Sequence, residues 1–80
     1  MLRFVDSLGN TWDVVVGRES WGAVVALFVP VKSGQPMRQA LLGALSPDEG
    51  LRELSALSPE ELEQLFARST ELNTESDGSI

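Results

Sequence analysis

Eighty residues make one small domain, and a chain of this size buries only roughly 60% of its unfolded surface, which leaves no room for a large internal ligand cavity. It has no cysteine, histidine or tyrosine, which excludes disulfides, thiolate catalysis, Cys/His metal cages, Ser-His pairs and histidine pH switching. The net charge of −6 is unevenly placed: residues 1–45 carry four basic against three acidic side chains, and residues 46–80 carry two against nine. Without clustered Lys and Arg, binding to nucleic acid phosphate is disfavoured.

The N-terminus Met1-Leu2-Arg3-Phe4-Val5-Asp6 lacks the charged lead and apolar core of a signal peptide, so a cytoplasmic protein is expected. Leu2, Phe4, Trp12, Val14 and Val16 share a parity that Arg3 and Asp13 do not, the pattern of two half-buried strands. Between them, Asp6-Ser7-Leu8-Gly9-Asn10 suits a type I turn with Gly9 in the left-handed conformation, closing a three-residue hairpin loop with a bulge. That register pairs Phe4 with Trp12 and Leu2 with Val14. Gly17-Arg18-Glu19-Ser20 then reads as the turn into a second hairpin. Two isolated glycines with no following helix do not make a phosphate loop.

The stretch Trp21 to Val31 has no charged side chain and organises the rest. It is β-branched and too short to cross a bilayer as a helix, which takes about 20 apolar residues, so a central strand is expected and no membrane partner. It does not alternate between apolar and polar residues, so both its faces should be out of water. Helices cover one face, assigned to Trp21, Val25 and Leu27; a β-bulge near Gly22 or Pro30 would exchange the faces, giving Val24 and Phe28 to the core and Leu27 to the interaction surface. The other face, centred on Val24, Ala26 and Phe28, is the expected interaction surface, with the indole of Trp21 as a further contact residue.

Lys32-Ser33-Gly34-Gln35-Pro36 is a turn by composition. Residues 36–45 suit a helix by propensity and a strand by spacing, because Ser46-Pro47 starts a new helix at once; a fourth strand is favoured. Ser46-Pro47-Asp48-Glu49 and Ser58-Pro59-Glu60-Glu61 each place Ser at the N-cap, Pro at the first helical position and Glu at the third, which are capping boxes. Leu57 and Leu62 fit a hydrophobic staple around the second. The first helix is expected from Pro47 to about Ala56, burying Leu51 and Leu54. The second runs from Pro59 to about Leu72, burying Leu62, Leu65, Phe66 and Ser69. Residues 73–80 read as a disordered acidic tail after a single domain over residues 1–72.

No constellation of residues demands catalysis. Asp6 and Asp13 face different ways in the hairpin register, so they make no acid-base pair. Asp48, Glu49 and Glu53 lack the glycine-turned loop of a calcium site, and capping explains them better. Arg3, Arg18 and Arg38 would hold an anion only if they converged. No metal or cofactor is expected, and the caps and hairpins are general protein chemistry that carries no family resemblance.

The expected architecture is α+β: an antiparallel meander of three or four strands followed by a C-terminal helical hairpin packed on one sheet face. The expected function is non-enzymatic, with an apolar sheet face used for homodimerisation or docking to another protein. The alternative is an acidic adaptor or chaperone-like module that meets a basic protein partner through its C-terminal helices.

Overall fold

The structure, a computed structural model, describes residues 2–19, 22–32 and 34–72. Strands β1 (Leu2–Val5), β2 (Thr11–Arg18), β3 (Val24–Pro30) and β4 (Arg38–Leu41) are followed by helices α1 (Pro47–Ala56) and α2 (Pro59–Ala67) and a short β5 (Thr70–Glu71). All neighbouring pairs are antiparallel, and the sheet order is β1-β2-β3-β4-β5, with both helices on one face.

The first hairpin has the expected register, Phe4 opposite Trp12 and Leu2 opposite Val14. The loop closes with Asp6 N–H donating to the Asn10 carbonyl at 2.9 Å and Gly9 N–H to the Asp6 carbonyl at 3.0 Å, with Gly9 at φ 87°. The second hairpin repeats this bonding further along the chain than Gly17. Glu19 N–H donates to the Ala23 carbonyl, Gly22 N–H donates to the Glu19 carbonyl, and Gly22 sits at φ 102°. Gly17 is inside β2, paired with Val25.

That placement decides which face of β3 enters the core, and it corrects the expected assignment. Val14 pairs with Phe28 and Val16 with Ala26, so the even-numbered residues of β3 share the face of Trp12, Val14 and Val16. Val24, Ala26 and Phe28 are 1%, 0% and 0% exposed and lie in the core beneath the helices, not on an open docking face. Leu27 and Val29 point the other way, with Val25.

Helix starts follow the caps. Ser58 accepts from Glu61 N–H and Glu61 accepts from Ser58 N–H at 2.8 Å, a complete capping box. At α1 only half of the box forms: Ser46 accepts from Glu49 N–H, while the Glu49 carboxylate reaches back one residue further, to Leu45 N–H at 2.9 Å. Leu54 is buried as expected, but Leu51 is 58% exposed. The residue that meets the sheet is Gly50, where an added Cβ would lie 2.8 Å from Val24 Cγ1 and 3.3 Å from Val16 Cγ1. α1 rests on the sheet through backbone at that point, which turns Leu51 outwards.

The fourth strand is present, and a fifth was not foreseen. α2 ends at Ala67 rather than near Leu72, with the Ser69 hydroxyl donating to the Phe66 carbonyl. Ser and Thr compete with helical bonding through their own side chains, and Thr70 moves directly into a strand against Gln39. The expected tail, residues 73–80, lies outside the described residues.

Candidate functional site: the uncovered sheet face

Helices on one side leave the opposite side of the sheet without a covering layer among the described residues. Its side chains follow from the register. Arg3 and Asp13 with Val29 form one row, Val15, Leu27, Gln39 and Thr70 the next, and Gly17, Val25 and Leu41 a third. Val5 and Leu41 are 59% and 52% exposed, and Val15, Leu27 and Val29 are half-buried. Val25 is buried. The Leu27 side chain leans over Gly17, where an added Cβ would lie 2.6 Å from Leu27 Cδ1, so the absent side chain of Gly17 makes room for Leu27.

Charges on this face sit at its ends. Arg3 Nε donates to Asp13 Oδ1 at 2.9 Å across the β1–β2 pair. At the other end a notch of about 260 Å³ is lined by Glu19, Val25, Gln39, Leu41, Arg68 and Thr70. There Arg68 Nη2 donates to the Leu41 carbonyl at 3.1 Å.

Two other concavities have a structural explanation. An open groove of about 500 Å³ between α1 and β2 is walled by Leu2, Val14, Val16, Pro47, Asp48 and Leu51, which gives the exposed Leu51 its surroundings. A second, of about 300 Å³, is bordered by Asp6, Trp12, Arg38, Phe66 and Glu71, all engaged within the fold. The Asp6 carboxylate accepts from the N–H groups of Leu8 and Asn10, both at 2.9 Å, and from the Trp12 indole at 3.0 Å. Desolvation pushes its pKa up, but the Trp12 indole and the Asn10 and Leu8 amides favour the charged form and together hold it below the ordinary 3.8. Arg38 donates from Nε to Ser69 Oγ and from Nη2 to the Ser69 carbonyl, both at 2.7 Å, lies 3.7 Å from Glu71, and stacks over the Phe66 ring.

The expected site residues are therefore separated. Val24, Ala26 and Phe28 belong to the core, where Phe66 gathers Phe4, Trp12 and Phe28 at ring distances of 5.0 to 5.1 Å. Trp21 lies outside the described residues. Arg3, Arg18 and Arg38 do not converge: Arg3 is paired with Asp13, Arg38 is held by Ser69, and Arg18 stands exposed at the end of β2. Asp6 and Asp13 face opposite sides of the sheet. Among the described residues, no cluster of three carboxylates could hold a metal ion, and no helix is long and apolar enough to cross a membrane. Sequence reasoning offered Leu27 as a surface residue only for exchanged faces, and it did not single out Val15, Val29 or Leu41. The run from Trp21 to Val31 is apolar on both parities, so only its register against β2 separates this surface from the core.

Comparison with protein-family models, with curated proteins and with solved structures gave no match.

Proposed function

We propose that the chain is a small non-enzymatic interaction protein of the cytoplasm that docks to protein through the uncovered face of its sheet. The observation that carries the reading is the apolar stripe of Val15, Leu27, Val29 and Leu41 on the side away from the helices. A contiguous apolar patch costs solubility and is retained where it meets another surface. The chemistry of the chain fits a binding role: with no histidine, cysteine or tyrosine, the side chains best suited to proton transfer and covalent catalysis near neutral pH are missing.

The test compares proteins captured from the source cell by the full chain and by a Leu27→Asp variant. Leu27 is half-buried on an open face, so the variant should fold, and a charge in the middle of an apolar contact should abolish capture. Capture that survives Leu27→Asp but fades as salt rises would replace this reading with that of an acidic adaptor working through its helices, because exposed charges are screened over about 8 to 10 Å at physiological ionic strength.

A further inference from the structure

The charged groups on the apolar face balance, whereas those on the helices do not. Arg3 and Asp13 stand at one end and Glu19 and Arg68 at the other, two basic and two acidic groups, while the whole chain carries −6. The face is therefore neutral, and so is each of its ends. The helices, in contrast, present Asp48, Glu53, Glu60 and Glu63 with Arg52 as the basic residue among them.

We infer that the occupant of the uncovered sheet face is a second copy of this chain, packed sheet against sheet. The inference rests on the docking reading above and names its partner. In a two-fold dimer each patch meets itself, so a patch with net charge meets its own sign. Across this face, whichever way the axis lies in the interface, a copy brings a neutral apolar surface to a neutral apolar surface. Contact through the helices would set carboxylate against carboxylate.

Shape and area agree. Leu27 folds into the space over Gly17, and sheets stack face to face about 10 Å apart with their strands nearly aligned. The strands hold 25 residues at about 3.3 Å by 4.8 Å each, about 400 Å² of sheet face, so a pair of copies covers about 800 Å², the range of a weak and transient contact. A reversible dimer follows, not an obligate one. Burying Leu27, Val29, Val15 and Leu41 would give four layers, helices outside and two sheets within.

Sedimentation velocity of the full chain from low concentration to about 100 µM tests this, since weak interfaces of this size show their equilibrium in the micromolar range. The wild type should pass from monomer to dimer, and the transition should be insensitive to salt or favoured by it. Leu27→Asp should raise the dissociation constant by about 30-fold or more, as a central interface residue does, and Leu41→Asp, nearer the end of the face, by about 10-fold, both with unchanged circular dichroism. Leu41 is half-exposed, so its variant decides the matter if Leu27→Asp fails to fold. In the wild type, concentration-dependent amide shifts should fall on Val15, Leu27 and Val29 and not on α1 or α2. A wild type that stays monomeric at 100 µM, while Leu27→Asp still abolishes capture of a different protein, overturns the second copy and leaves the docking face standing. A dimer that persists in both variants overturns this inference, because the contact then lies elsewhere; undiminished capture by Leu27→Asp would remove the docking reading as well.

Discussion

Asp6 and Gly50 each do work that their residue types do not announce. Asp6 is a carboxylate at the first position of a turn, where Asp folds its side chain onto following amides. Here it also takes the Trp12 indole, tying the turn to the core. Because its folded pKa lies below the ordinary value, its contribution is present above about pH 4 and is lost as pH falls through the folded value. Asp6→Ala should lower stability at pH 7 by about 1 kcal/mol, the usual net value of such bonds at a partly exposed site. Urea unfolding from pH 6 to pH 3 should show the wild type and the variant converging at the acid end. Gly50 inverts the usual expectation for a helical glycine. Gly→Ala inside a helix ordinarily gains about 1 kcal/mol, but a Cβ here meets the stiff, buried Val24 side chain. Overpacking of that kind costs about 1 to 3 kcal/mol, so Gly50→Ala should leave the protein neutral or up to about 2 kcal/mol less stable, measured by thermal unfolding.

At the scale of elements, local chemistry was legible and long-range chemistry was not. The β1–β2 register could be read because turn, glycine and parity agreed within a few residues, and the α2 start because Ser58, Pro59 and Glu61 form a local unit. Ser58→Ala should cost about 1 kcal/mol by removing that cap. The β2–β3 connection offered two glycines, and Gly17 was taken for the turn that Gly22 makes. The order acid-Ser-apolar-Gly in Glu19-Ser20-Trp21-Gly22 repeats Asp6-Ser7-Leu8-Gly9 and was the available signal. A shift of one residue in strand pairing exchanges every side chain between faces, and a run that is apolar on both parities, as Val24 to Val29 is, does not by itself say which face is buried. The end of α2 follows the local bond of Ser69 to the Phe66 carbonyl, but β5 is joined to the sheet through Arg38, 31 residues from Ser69, and no local pattern reports such a contact. Arg38→Met keeps the stem over Phe66 but removes the bonds to Ser69; amide exchange should rise at Thr70–Leu72 while the β1–β2 hairpin stays protected.

For the whole molecule, two layers account for the distribution of charge and apolar surface. The helical layer is acidic, the core between the layers is apolar with Phe66 at its aromatic centre, and the far face of the sheet carries an apolar stripe with Arg3 and Asp13 paired at one end. An α+β meander with its helices on one side was legible from the order of strands and caps, whereas the identity of the open face was not. The docking surface, and with it the proposed dimer, depends on that identity. The most direct test is the unfolding free energy in dilute solution of two neighbouring variants, Leu27→Asp and Phe28→Asp. Phe28 is fully buried, and a carboxylate there should cost more than about 4 kcal/mol and leave the chain unfolded, whereas Leu27→Asp should stay folded within about 1 kcal/mol of the wild type. A folded Phe28→Asp beside an unfolded Leu27→Asp would place the core on the other side of β3 and contradict the account.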